Sequence, residues 1–247
     1  MKRPALPLML LILASIFLLF LLNLLLGSVH IPFGKIWELL WWTGAASNPD
    51  TMSNQEVIWS NILWKSRVPQ ALTSLVAGAG LSVSGLQMQT VFRNPLAGPS
   101  VLGISSGASL GVACVVLLSG AMGGVALSRL GYMGEVALSV AAIIGALSVM
   151  ALIVYVSQKV KGNVTLLIIG VMIGYVASAV IGVLKYFSVE EDIRAYVIWG
   201  LGSFARVSGD QMLLFVCIMA VLLPLSFLLI KTMNLLLLGD GYALSLI

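Results

Sequence analysis

The side chains that could perform acid–base or metal chemistry are few and scattered in this sequence. One histidine occurs, His30, and carboxylates stand close together only at Glu190–Asp192. Catalysis and metal binding need several such groups held at one site, whereas three acids in a row are typical of a solvated helix N-terminus. The sequence has no Gly-x-x-x-x-Gly-Lys-Ser/Thr loop for ATP. We therefore predict no catalytic residue, no metal site and no cofactor.

The most informative segment is a turn between two long apolar stretches. It reads Arg-Asn-Pro-Leu-Ala-Gly-Pro-Ser-Val-Leu-Gly-Ile-Ser-Ser-Gly-Ala from Arg93 to Ala108, and Arg93 is the only charge between Val68 and Ser128. Pro95 disfavours helix at Asn94, whose side chain can satisfy the freed backbone groups. Irregular backbone inside a membrane is tolerated only where protein or a water-filled cavity surrounds it. We expect a re-entrant corner at a transport pathway, with a purely structural corner as the alternative.

The composition indicates the elements that position this corner. The sequence is 60% hydrophobic and 9% charged, against about 25% charged in soluble proteins. A membrane span needs about 20 apolar residues. The charge-free stretches of that length lie at 6–26, 68–92, 99–118, 136–157, 164–184 and 211–230. They predict an all-α, polytopic bundle of six spans, with 1–247 as a single transmembrane domain.

The basic residues and tryptophans predict the orientation. The positive-inside rule places Lys2 and Arg3 in the cytoplasm, and alternation of the spans then puts Arg93, Lys159, Lys161 and Lys231 on the same side. All six tryptophans fall on the opposite side, where an aromatic belt would lie. Both ends of the chain are therefore predicted to be cytoplasmic.

Two further patterns concern the spans and their connections. Glu190–Arg206 holds too few uncharged residues to cross a membrane, so we predict a short half-helix at the outer mouth, and Phe33–Trp42 is predicted to be interfacial. Small residues also recur at every fourth position in three spans. These are Ser74, Gly78 and Ser82; Gly103, Gly107 and Gly111; and Gly170, Gly174, Ser178 and Gly182. Such faces favour close helix packing, although they would also line a wide cavity.

Two separated motifs resemble a known family of transporters. The first comprises Trp64–Pro69, Gly78–Leu81, Ser84–Gly85, Gln89, Arg93–Ala97, Leu102–Gly103 and Ser106–Ala108. The second comprises Met233–Asp240 and Ala243. Both are similar to motifs of the FecCD permeases, the membrane subunits of bacterial ABC importers for iron-siderophores, haem or cobalamin.

The resemblance implies roles for individual residues. It places Asn94, Pro95 and Leu96 at the cytoplasmic gate, and Arg67 where a binding protein docks. Position 70 is Gln, where the family often has a second arginine, so one docking charge is missing unless Lys65 replaces it. The outer gate half-helix would contain Trp199, Gly200 and Gly202. Residues 231–247 would begin the cytoplasmic coupling region, in which Gly239, Asp240 and Ala243 contact the ATPase.

The resemblance also implies the function, the location and the partners. It predicts a multi-pass permease of the bacterial inner membrane that takes up ferric siderophores, with haem or cobalamin as alternative cargo. Its partners would be membrane lipid, an ABC ATPase subunit, an extracytoplasmic binding protein and a second permease chain in a homodimer or pseudo-dimer. No enzymatic activity and no nucleic acid partner are expected.

Other interpretations remain open at this stage. Family members have about ten spans of about 20 residues each, so the chain is expected to be truncated after the sixth span, and a non-transporting fragment is an alternative. A secondary transporter would need ionisable groups near the bilayer midplane. The predicted spans carry none away from their ends, which disfavours that class, and the lack of a catalytic cluster disfavours an intramembrane enzyme.

Overall fold

A computed structural model of the chain describes residues 5–42, 53–121, 132–160 and 162–238. The described residues form ten α-helices and no strand. The helices are α1 (Ala5–Leu25), α2 (Phe33–Trp42), α3 (Asn54–Ile62), α4 (Val68–Phe92), α5 (Ile104–Ala121), α6 (Tyr132–Ser157), α7 (Asn163–Phe187), α8 (Glu190–Leu201), α9 (Gly209–Phe227) and α10 (Ile230–Leu238). The predicted all-α fold is confirmed.

Five helical stretches are long and apolar enough to cross a membrane. They are Leu6–Leu25, Asn54–Phe92, Met133–Ser157, Asn163–Phe187 and Gly209–Phe227. The sixth predicted span is shorter than expected, because α5 begins at Ile104 rather than Pro99. Gly103 adopts a positive φ of 74°, which interrupts the helical backbone and leaves residues 99–103 in turns.

The segments predicted to be short helices are helices in the structure. Phe33–Trp42 is α2, and the proposed half-helix is α8, followed by a single 3₁₀ turn at Phe204–Arg206. Helix α3 was not predicted from the sequence. It begins with a capping box, in which the Ser53 side chain accepts from the Glu56 N–H and the Glu56 carboxylate accepts from the Ser53 N–H. This reciprocal cap satisfies two otherwise unpaired donors.

The chain folds as two compact units, Met1–Gly80 with Ser203–Leu225, and Leu81–Gly202 with Ser226–Ile247. Helices α4 and α9 each contain a boundary between these units, so the division does not test the prediction of a single domain. In the first unit, the end of α1, α2 and the start of α4 share one apolar core. Its buried side chains are Leu24, Ile31, Ile36, Leu39, Leu63, Val68 and Ala71.

Backbone-to-backbone packing of α5 on α6 organises the second unit. A Cβ atom built on Gly145 of α6 would lie 2.1 Å from the Gly107 carbonyl oxygen and 3.1 Å from the Gly111 Cα. A Cβ on Gly111 would in turn lie 2.2 Å from the Ala141 carbonyl oxygen. Only glycine permits this approach, so the small-residue face of α5 serves helix packing.

Helix α5 also packs against α7, and the two run in the same direction. A Cβ on Gly174 would lie 3.2 Å from the Ser106 Oγ, and farther along α7 the Ser188 hydroxyl donates to the Leu117 carbonyl. Helix α8 covers the last turns of α5. This core contains the buried side chains Val112, Ala113, Val116, Leu117, Ile181 and Tyr196.

Candidate functional site

The corner between α4 and α5 brings the predicted gate residues into one tight turn. The Asn94 Oδ1 accepts a hydrogen bond from the Leu96 N–H at 2.9 Å, and the Asn94 carbonyl accepts from the Ala97 N–H at 3.0 Å. Asn94 therefore satisfies the backbone after Pro95, as its sequence predicts. Leu96 is 82% exposed, so an apolar side chain projects from the turn. A gating role for these residues stays a prediction.

Arg93 ties this corner to the last described helix. It adopts a φ of 47°, a left-handed conformation that is uncommon for a residue with a side chain and that ends α4. Its Nη2 donates to the Leu236 carbonyl in α10 at 3.0 Å. A second bond closes the corner from α7, because the Asn163 Nδ2 donates to the Val91 carbonyl at 3.2 Å. No pattern in the sequence predicts either long-range contact.

Arg67, which the resemblance assigns to docking of a binding protein, is a buried residue in this structure. It is 5% exposed and belongs to a π-helical turn, Leu63–Arg67, that joins α3 to α4 without a break. Its Nη1 donates to the carbonyls of Leu24 at 2.6 Å and Leu25 at 3.0 Å, and its Nη2 donates to that of Val29.

These carbonyls lie at and beyond the C-terminus of α1, where the last turn has no intrahelical partners and a positive charge is favoured. The guanidinium therefore caps α1. Lys65, two residues earlier in the same turn, is exposed. The docking role of Arg67 stays a prediction.

The predicted outer gate residues lie at the end of α8. The Trp199 ring packs beside Tyr196, with centroids 6.4 Å apart, in the core shared with α5. Gly202 has a φ of 66°, and its N–H donates to the Trp199 carbonyl at 3.0 Å. Glycine is favoured at such a left-handed helix end, so Gly202 terminates α8, while Gly200 is exposed. The predicted coupling residues Gly239, Asp240 and Ala243 lie outside the described residues.

A polar cavity that the sequence did not single out lies beside α8. It has a volume of about 370 Å³ and is lined by Ser105, Ser106, Ser109, Ser178, Ile181, Gly182, Lys185 and Tyr196. The small-residue face of α7 therefore divides into two parts. Gly170 and Gly174 contact the backbone or side chains around α5, whereas a Cβ on Gly182 would meet no atom within 4 Å. Close packing and the lining of a cavity both occur on this one face.

Among the described residues, Lys185 is the only charged side chain that lines this cavity. Its Nζ lies 4.8 Å from the centroid of the Tyr196 ring, a geometry in which an ammonium is attracted by the ring face. Burial raises the pKa of the Tyr196 phenol, an effect that the nearby Ser109 hydroxyl partly offsets. The phenol is therefore neutral near pH 7, and the charge at the cavity is positive.

Comparison with known sequences places both motifs, including the turn at Arg93–Ala97, within a single family match. Residues 13–246 match the FecCD transport family. This chain belongs to the FecCD transport family. It is 34% identical over 219 residues to the hemin transport system permease protein of Yersinia pestis, covering 88% of this chain and 59% of that protein.

Other FecCD relatives are similar to the same degree. The vitamin B12 import system permease protein of Escherichia coli O6:H1 is 35% identical over 178 residues, covering 72% of this chain and 51% of that protein. The "Probable iron chelatin transport system permease protein" of Helicobacter pylori is 37% identical over 190 residues, covering 76% and 53%. The chain therefore spans between half and three-fifths of the length of these relatives.

A solved structure supports the FecCD fold. It is described as an inward-facing conformation of a metal-chelate type ABC transporter, and it superimposes with a TM-score of 0.70 at 25% identity. The match covers 95% of this chain and 67% of that chain. The resemblance inferred from the motifs is thus confirmed at the levels of sequence and fold.

Proposed function

We propose that the protein is the membrane permease subunit of an ATP-driven importer of metal chelates. The observation that carries this proposal is the FecCD match over residues 13–246, since the relatives quoted above are named as permeases. The fold supports it through the likeness to a metal-chelate type ABC transporter. The chain contributes gates and a pathway, and a separate subunit with a P-loop hydrolyses ATP.

The cargo is a ferric siderophore, haem or cobalamin. Relatives named for haem, vitamin B12 and iron chelatin match at 34%, 35% and 37% identity, so identity does not favour the siderophore over the other two. A ferric siderophore stays the first proposal from the sequence motifs. All three are bulky chelates that bring their own metal ligands, so transport needs no metal-ligand cluster in the permease.

The proposed partners are an ABC ATPase, an extracytoplasmic binding protein, a second permease chain and membrane lipid. Exposed apolar side chains on several helices support the second permease chain and the lipid as partners, because the described residues of this chain leave them uncovered. On α7, for example, Tyr175 and Val176 are 67% and 64% exposed. Exposed apolar surface of this extent marks contact with lipid or protein.

The orientation proposed here places the N-terminus in the cytoplasm and the protein in the bacterial inner membrane. On this orientation the corner at Asn94–Leu96 is a cytoplasmic gate, and the end of α8 at Trp199, Gly200 and Gly202 lies at the outer mouth. The coupling residues Gly239, Asp240 and Ala243 follow α10, which Arg93 ties to the same corner. An impermeant maleimide should label cysteine at Glu190 in intact cells, and cysteine at Lys159 only after permeabilisation.

Uptake by cells tests the proposed function. A bacterial strain without its own chelate importers, expressing the full-length permease with its ATPase and binding protein, should accumulate at least one of ferric siderophore, haem and cobalamin. The control carries an ATPase whose P-loop lysine is replaced, and it should accumulate none. Equal accumulation with and without a working ATPase would contradict the proposal.

A further inference from the structure

The cavity between α5, α7 and α8 combines a cation with several hydroxyl groups. Three serines come from the first turns of α5, and Ser178 and Lys185 come from α7. Residues 178, 182 and 185 are spaced by four and three, so they lie on one helical face. Glycine at position 182 leaves open space beside the Lys185 side chain.

Lys185 has no acidic partner among the described residues. Lys35 forms ion pairs with Glu38 and Glu56, whereas no carboxylate of the described residues lines the cavity. The acids nearest along the chain, Glu190, Glu191 and Asp192, begin α8 and do not line it either. Among the described residues, the Tyr196 ring lies against the ammonium, and it leaves the hydrogen-bond donors of Nζ to other groups.

The Lys185 ammonium lies in the last turn of α7, and the side chain is half-buried beside the cavity. The group that best compensates this charge is an oxyanion, which accepts charge-assisted hydrogen bonds from the ammonium. Serine hydroxyls can donate to the remaining lone pairs of the same oxyanion. Ser105, Ser106 and Ser109 of α5 line the same cavity as Lys185 and supply hydroxyls of this kind.

We propose that this cavity binds an oxyanion, a carboxylate or phosphate group of the transported chelate, between Lys185 and the serines of α5. The inference rests on the proposed function and deepens it, because it assigns a substrate class. The volume of about 370 Å³ lies at the lower end for ligand sites. The cavity therefore holds one anionic arm of a chelate, while the rest of the chelate lies outside it.

The experiment compares chelates that differ in their anionic groups. The full-length permease with its ATPase and binding protein is reconstituted in vesicles of phosphatidylcholine, and initial uptake is measured at low cargo concentration. One pair of probes is haem and haem dimethyl ester, and the other is ferric citrate and a neutral ferric trihydroxamate. Lys185→Gln should lower uptake of the carboxylate-bearing probes about tenfold or more, as expected for a lost hydrogen bond to a charged group, and leave the neutral probes unchanged.

Two variants serve as controls. Lys185→Arg keeps the charge and should retain most of the carboxylate uptake. Lys159→Gln removes a second lysine whose Nζ lies over a tyrosine ring, 4.6 Å from the Tyr155 centroid, but which does not line the cavity. It should transport all probes at the wild-type rate.

A lipid phosphate is the other source of an oxyanion. Phosphatidylcholine already carries such a phosphate, and vesicles that also contain phosphatidylglycerol add lipids with a net negative charge. In either kind of vesicle, an effect of Lys185→Gln that is equal for charged and neutral probes would overturn the proposal in favour of a lipid site. If the wild type transports the probes and Lys185→Gln transports each of them at the same rate, the proposed oxyanion site is overturned, while the proposed function stands. No wild-type uptake of any of these probes or of cobalamin would overturn the proposed function and the inference that rests on it.

Discussion

Replacing Arg67 with methionine should lower the unfolding temperature of the full-length permease in detergent by about 10 °C. The guanidinium donates hydrogen bonds to three carbonyls at and beyond the end of α1, and hydrogen bonds to charged groups contribute about 1.5–3 kcal/mol each. Methionine preserves the apolar stem but leaves these carbonyls unpaired. Allowing for partial relaxation, we expect a loss of about 3–5 kcal/mol in the free energy of unfolding.

The matched control is Lys65→Met, which removes a cation from the same π-helical turn. Lys65 is exposed, and removing an exposed charge has little effect on stability. Equal unfolding temperatures of Arg67→Met and the wild type would contradict the capping role. Binding-protein affinity separates the two roles of Arg67. This comparison requires that Arg67→Lys folds normally. If Lys65→Glu then weakens binding at low salt and Arg67→Lys does not, Lys65 is the docking cation.

Replacing Gly145 with alanine should separate α5 from α6. The added methyl would lie 2.1 Å from the Gly107 carbonyl oxygen and 3.1 Å from the Gly111 Cα, and backbone atoms cannot yield as a side chain does. Overpacking of this kind costs about 1–3 kcal/mol, sometimes more. We expect an unfolding temperature several degrees below that of the wild type, together with faster proteolysis of the detergent-solubilised protein.

Gly78→Ala is the control for this prediction. Gly78 also lies in a small-residue stripe, but a Cβ atom there would meet no atom within 4 Å. Alanine is favoured over glycine in a helix interior by about 1 kcal/mol, so Gly78→Ala should be neutral or slightly stabilising. If the two variants unfolded at the same temperature, the close approach of α5 and α6 would be refuted.

The positions of the long helices could be predicted because a span requires a continuous apolar stretch. Helix α4 has the predicted bounds, Val68–Phe92, and α1 is displaced by one residue. Helix α3 was missed because it is polar, although Ser53 and Glu56 have the spacing of a capping box. The predicted start of α5 was wrong. It was placed at Pro99 because proline is tolerated in the first turn of a helix, whereas Gly103 in fact interrupts the helical backbone before Ile104.

The contacts that define the candidate sites could not be predicted from patterns in the sequence. The burial of Arg67 was not predicted, because the carbonyls that it binds lie about forty residues earlier in the sequence. The stripe on α7 predicted small residues but not where packing ends and the cavity begins. That division depends on α5 and α8, because the serines of α5 and Tyr196 of α8 complete the cavity around Lys185. Residue types are local information, and these sites are formed by residues distant in sequence.

Chelate uptake by a purified system tests the central claim most directly. The full-length permease is reconstituted in liposomes with its ATPase inside and its binding protein outside, and each of ferric siderophore, haem and cobalamin is offered in turn. We predict accumulation of at least one chelate that requires ATP in the lumen and stops when the ATPase is omitted. Accumulation driven by an ion gradient without the ATPase, or no accumulation of any of the three chelates, would contradict the assignment of this protein as a permease of an ATP-driven chelate importer.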